Sequence, residues 1–124
     1  MTEGLAPLVL IVDDNQQNAR LARDVLRAAG LRTIEAVSGV DALAQARDAQ
    51  PAVILMDIRL PDMDGGDVAR QLKADARTQT IPVIAMTSLA LGERSFLEAG
   101  FDGYLEKPID VREFPDEVRR FSGR

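Results

Sequence analysis

The chain has 124 residues, 46% apolar and 28% charged, a composition that suits one globular domain with its own core and excludes disorder or two ordinary domains. With 20 acidic and 15 basic residues the net charge is −5, and without a dense basic run the chain is not built for direct contact with nucleic acid. Having no cysteine and no histidine, it is excluded from thiolate and imidazole chemistry, disulfides and zinc-type ligand sets, so a bound metal must be a hard cation held by oxygen. In chain order, Leu8 to Val12 (LVLIV) reads as a strand. A helix follows from about Asn15 to Ala29, with Ala22, Val25, Leu26 and Ala29 on one face and Gly30 as its stop. Arg32 to Val37 alternates as a second strand, and Val40, Leu43 and Ala44 mark one side of a second helix that ends before Pro51. Val53 to Met56 is a third strand. Beyond a loop holding Pro61 and Gly65, Val68 and Leu72 pattern a third helix. Pro82 to Met86 is a fourth strand, Glu93 to Ala99 a short helix stopped by Gly100, and Gly103 to Leu105 a brief fifth strand. The last helix is expected to start near Asp110, capped with Glu113, and to bury Phe114, Val118 and Phe121.

Strand and helix thus alternate five times, with connections that force parallel pairing. Runs such as LVLIV and VILM are apolar throughout, as strands covered by helices on both faces must be. The expected fold is α/β: a doubly wound, flavodoxin-like five-stranded parallel sheet of order 2-1-3-4-5 in three layers. One domain, 1–124 with a core from about 8 to 121, accounts for the chain. No apolar run approaches the ~20 residues of a spanning helix, and MTEGLAPLVL lacks the basic flank and apolar stretch of a signal peptide. The expected location is the cytoplasm, without membrane insertion.

In "AVILMDIRLPDMDGG", Ala52 to Gly66, an apolar run ends on the carboxylate of Asp57. Asp13 and Asp14 follow the first strand, Thr87 the fourth and Lys107 the fifth. In the expected order these strand ends adjoin, so three carboxylates, a hydroxyl and an ammonium converge on one crevice. Carboxylates that close repel unless a cation compensates them, and Mg²⁺ suits hard oxygen donors. Taken singly the residues have plainer readings: Asp13 and Asp14 as a turn and helix cap, Asp57 as a solvated strand end, Thr87 as a cap and Lys107 as a surface charge. Asp62 and Asp64 read as turn residues, and Asn15 and Asn18 as helix-start residues. A calcium loop with Gly65 at its sixth position fails, because Leu60 and Gln71 would fall at its first and twelfth positions.

"DD" after the first strand, "MDIRLPDMDG", "MT" and "KP", in this order, resemble the response-regulator receiver domains of two-component signalling, over Leu8 to Phe121. "IVDDNQQN", "ILMDIRLP" and "GYLEKPID" are most similar to the single-domain cell-cycle and phosphorelay type. The resemblance implies that Asp57 is the phosphoacceptor. It implies Mg²⁺ bound by Asp14, Asp57 and the backbone carbonyl of Arg59, with Asp13 acting through water. Lys107 would pair with one phosphoryl oxygen and Thr87 with another, and Thr87 and Tyr104 would form the switch. Such a protein is not an enzyme in the ordinary sense but assists its own phosphorylation and dephosphorylation. The phosphoryl donor would be a histidine kinase or histidine phosphotransferase, the output a contact with a protein target, and no output domain is expected.

Three departures stand out. From Thr87 to Lys107 the chain, "TSLALGERSFLEAGFDGYLEK", is slightly shorter than in similar receivers. Gly66 replaces a bulky apolar residue, removing packing at the start of the third helix. Pro115 would remove a hydrogen bond in the last helix unless that helix begins later. The first departure leaves open a receiver-like binding module uncoupled from phosphorylation. A small Mg²⁺-dependent phosphohydrolase is the other alternative, although Asp57 is followed by Ile58 and Arg59 rather than by a general acid.

Overall fold

In a computed structural model, which describes residues 6–87 and 99–122, five strands form one parallel sheet of order β2-β1-β3-β4-β5. The strands are β1 (Leu8–Val12), β2 (Arg32–Ala36), β3 (Val53–Asp57), β4 (Val83–Thr87) and β5 (Gly103–Glu106). The described helices are α1 (Gln16–Ala28), α2 (Gly39–Ala49), α3 (Gly65–Ala74) and α4 (Phe114–Ser122). The short helix expected over Glu93 to Ala99 falls almost wholly outside the described residues, as do positions 88–92 of the shortened stretch.

Side chains alternate across the strands and so build two cores. Leu10, Val12, Ile54, Met56, Val83 and Ala85 pack with Ala42 and Ala46 of α2 and Val68, Ala69 and Leu72 of α3. Val9, Ile11, Val53, Leu55, Ile84 and Met86 pack with Ala19, Ala22 and Leu26 of α1 and Phe114 and Val118 of α4. β3 is therefore buried on both faces until Asp57, which is half-buried at its end. Register puts Val12 beside Met56, Asp57 beside Met86, and Thr87 beside Glu106, so the carboxyl ends of four strands form one rim.

Two expectations change. The buried face of α2 is Gly39, Ala42 and Ala46, whereas Val40 is exposed. Small residues let α2 lie close to the sheet, and Val40 is turned away by the helical rotation. The last helix begins at Phe114 rather than near Asp110. Residues 111–113 form turns, with the Asp110 carboxylate accepting from Arg112 N at 2.9 Å. This later start puts Pro115 in the first turn, where its missing N–H costs no helical bond. At Gly66, an added Cβ would lie 3.5 Å from the Ala99 carbonyl and 3.7 Å from its Cβ, so chain from beyond β4 occupies the space a larger side chain would fill.

Candidate functional site

At the end of β1, Asp13 is buried. Its N–H donates to the Ala36 carbonyl at 3.1 Å, extending the β1-β2 pairing, and its Oδ1 accepts from Asn15 N at 2.9 Å. Asp14 is exposed beside it, and Asn15 then caps α1 by accepting from Gln17 N and Asn18 N. Across the rim, Asp57 Oδ1 accepts from Arg59 N at 3.3 Å. One carboxylate oxygen from each of Asp13, Asp14 and Asp57 lies within 4.8 Å of the other two. Among the described residues this is the one acidic cluster able to hold a metal ion.

Lys107 follows β5 and reaches back over the rim. Its Nζ stands 3.5 Å from Asp13 Oδ2 and 3.5 Å from Asp57 Oδ2. Its backbone N donates to the Thr87 carbonyl at 2.8 Å, which ties the ends of β4 and β5 together, and the Lys107-Pro108 peptide is cis. Thr87 is buried at the end of β4. Tyr104 is half-buried on β5, paired with Ala85 and packed against the core on the α2 and α3 side. Of the residues singled out from sequence, Asp13, Asp14, Asp57 and Lys107 thus converge. Thr87 borders them, and Tyr104 lies further down the neighbouring strand.

The cluster has three carboxylates against one ammonium. Burial pushes the Asp13 carboxyl above its ordinary value, Asn15 N–H and Lys107 pull it down, and the Asp57 charge adds to the rise. A compact set of hard oxygen donors, left short of positive charge, fits a divalent cation of the magnesium type. Beside the carboxylates runs a groove lined by Leu21, Ala22, Met86, Pro108 and Ile109. Leu21 is exposed there.

Asp62 and Asp64 do more than turn the chain. Asp64 caps α3 through Gly66 N at 2.7 Å, and Asp62 accepts from Gly39 N at 2.7 Å and Val40 N at 3.0 Å at the start of α2. Those two N–H groups hold the Asp62 carboxyl below its ordinary value. The Asp64 cap could be read from the apolar pattern that begins just after it. Asp62 could not, since its partners lie more than twenty positions away.

Residues 9–119 match the response regulator receiver domain. The chain is 41% identical over 117 residues to the polar-differentiation response regulator DivK of Brucella ovis, covering 93% of this chain and 95% of that protein. Its structure is similar to the receiver domain of the sensor histidine kinase PA1611 from Pseudomonas aeruginosa, described with a magnesium ion coordinated in its active site cleft. That likeness has a TM-score of 0.87 and 34% identity, over 96% of this chain and 99% of the other. It is also similar to the chemotaxis response regulator CheY4 of Vibrio cholerae, with a TM-score of 0.86 and 25% identity over 94% of this chain and 98% of that one. Among the described residues no helix is long and apolar enough to cross a membrane. A match that spans the whole sheet, with a relative this similar over nearly its full length, makes the chain a member of the response-regulator receiver domain family.

Proposed function

We propose that this receiver takes a phosphoryl group from a phosphohistidine of a histidine kinase or phosphotransferase onto Asp57, with Mg²⁺ as cofactor, and then signals by binding a protein target in the cytoplasm. The observation that carries this reading is the acidic cluster itself, with Lys107 Nζ equidistant, at 3.5 Å, from Asp13 and Asp57. With no histidine in the chain, the phosphohistidine belongs to the partner. The apolar groove beside Asp57 supports docking of a partner surface that brings its imidazole to the rim.

A carboxylate oxygen of Asp57 attacks phosphorus in line with the P–N bond. As the new P–O bond forms, the P–N electron pair leaves with the partner's imidazole. Asp14, Asp57 and the Arg59 carbonyl would hold Mg²⁺, with Asp13 acting through water. When bound, the ion neutralises negative charge on the carboxylates and the phosphoryl oxygens. Lys107 is already within reach of Asp57 and donates to one phosphoryl oxygen, while the Thr87 hydroxyl donates to another. Thr87 and Tyr104, on adjacent strands, then carry the switch: a local charge event biases a two-state element. Attack of water on phosphorus, assisted by the same residues, forms a new P–O bond as the bond to the Asp57 oxygen breaks, which releases inorganic phosphate, restores the carboxylate and resets the protein. It turns over only its own phosphoryl group.

Incubation with acetyl phosphate and Mg²⁺ adds one phosphoryl group by intact-protein mass, and Asp57→Asn adds none. Labelling that survives Asp57→Asn unchanged rejects the reading. Multiple turnover of small phosphate esters replaces it with the phosphohydrolase alternative.

A further inference from the structure

The loop between β3 and α3 is fastened at both ends and again at its tip. At its base Gly65 N donates to the Ile58 carbonyl at 2.7 Å, and Arg59 pairs with Asp64 in an isolated antiparallel bridge. A Cβ at Gly65 would lie 2.7 Å from the Asp57 carbonyl and 2.9 Å from that of Ile58, so the closure requires glycine. At its tip Asp62 grips the first turn of α2, through Gly39 N at 2.7 Å and Val40 N at 3.0 Å. Met63 Sδ fills the space over Gly39, where an added Cβ would come within 2.7 Å of it.

The grip is built into the helix end. Ser38, the N-cap of α2, serves Asp41 N at 3.1 Å and leaves Gly39 N and Val40 N to be satisfied from elsewhere. Asp62 supplies both acceptors from another part of the chain. The loop it fastens carries Arg59, whose carbonyl is a Mg²⁺ ligand in the function proposed above. That oxygen is a neutral ligand on backbone, and Mg²⁺ demands near-ideal octahedral geometry, so its worth depends on where the loop is held.

We infer that Asp62 is a positioning residue for the metal site: by clasping the first turn of α2 it holds the loop that presents the Arg59 carbonyl. The inference rests on the reading of Asp57 as a Mg²⁺-assisted phosphoacceptor. α2 thereby becomes part of the site's support without contributing a ligand, much as outer hydrogen bonds tune first ligands in other metal centres.

The test is a Mg²⁺ titration followed by amide NMR shifts, with thermal unfolding run on the same samples, for the wild type, Asp62→Ala, Asp62→Asn and Ser38→Ala. Asp62→Ala is expected to weaken Mg²⁺ binding about tenfold. Asp62→Asn keeps one acceptor oxygen and should fall between it and the wild type. Ser38→Ala removes a cap from the same helix without touching the loop, and should lower Tm while leaving the Mg²⁺ Kd unchanged. Folded Asp62→Ala with the wild-type Kd overturns the inference and leaves the phosphoacceptor reading standing. Equal weakening by Ser38→Ala and Asp62→Ala also overturns it, since helix stability would then be the cause. Should Asp62→Ala not fold, a wild-type Kd in Asp62→Asn overturns it. A wild type that binds no Mg²⁺ overturns the reading and the inference together.

Discussion

Asp13→Asn is expected to stabilise the metal-free protein while weakening its response to Mg²⁺. Asp13 is attracted by Lys107 at 3.5 Å and repelled by Asp57 within 4.8 Å, about 4.7 against at least about 3.5 kcal/mol at an effective dielectric near 20. Exposed Asp14 adds a repulsion of about 0.9 kcal/mol at water-like screening. The pair energies nearly cancel, so the cost of burying the Asp13 carboxylate decides, in agreement with the upward push on its titration, for which burial is the largest cause. An amide of the same shape keeps the bond from Asn15 N and leaves Lys107 to Asp57. Removing the partly buried charge is then worth about 1 to 2 kcal/mol, the lower part of the range for burying a polar group. In a domain of this size that is roughly 4 to 8 °C in Tm. The sign with pH follows from the raised folded value. Folding takes up a proton at Asp13 between its ordinary 3.8 and that raised value, so the ionised carboxylate costs stability in full above it. The gain from Asp13→Asn is therefore greatest at neutral pH and fades as pH falls toward 3.8. Circular dichroism melts in chelator and in Mg²⁺ measure it. Mg²⁺ at one hundred times the wild-type Kd should stabilise the wild type by about 2.7 kcal/mol, read as a higher Tm, and Asp13→Asn by much less. A lower Tm for the variant in chelator, or equal stabilisation of both proteins by Mg²⁺, refutes the reasoning.

Lys107→Met removes the one ammonium from the cluster. Labelling by acetyl phosphate should slow about a hundredfold, the usual loss for a missing charge-stabilising donor, while Mg²⁺ binding by titration persists. Gly65→Ala would force a Cβ against the Asp57 and Ile58 carbonyls, backbone atoms that cannot swing aside, and should lower both the urea midpoint and Mg²⁺ affinity. The Asp62 carboxyl titrates lower when folded, so its contribution is complete above 3.8 and lost as pH falls through its folded value. The Tm difference between wild type and Asp62→Asn should accordingly be constant at neutral pH and close in acid; a difference that widens in acid contradicts the clasp.

Much of this was legible locally. The apolar run LVLIV became β1 with its expected ends, and the run before Asp57 became a strand covered on both faces, because a sheet between two helix layers admits few other residues. The convergence of Asp13, Asp14, Asp57 and Lys107 followed from strand order, which the alternation of short strands and helices already constrained. What escaped was set by distant partners. Asp110 and Glu113 have the spacing of a capping box, yet helix α4 starts at Phe114, which with Val118 is anchored in the core against α1 and the sheet. Val40 fits an apolar periodicity, but Gly39, Ala42 and Ala46 let α2 approach the sheet and leave Val40 in water. Asp62 looked like one more acidic turn residue because its two donors lie on a helix that the intervening sequence does not point to.

The central claim, that Asp57 accepts a phosphoryl group within this cluster, is tested most directly by a crystal structure grown with Mg²⁺ and beryllofluoride. The beryllofluoride group should sit on a carboxylate oxygen of Asp57, with Mg²⁺ bound by Asp14, Asp57 and the Arg59 carbonyl and reached by Asp13 through water. Lys107 Nζ and the Thr87 hydroxyl should each contact the adduct. An adduct on another carboxylate, or Mg²⁺ bound away from Asp14 and Asp57, contradicts it.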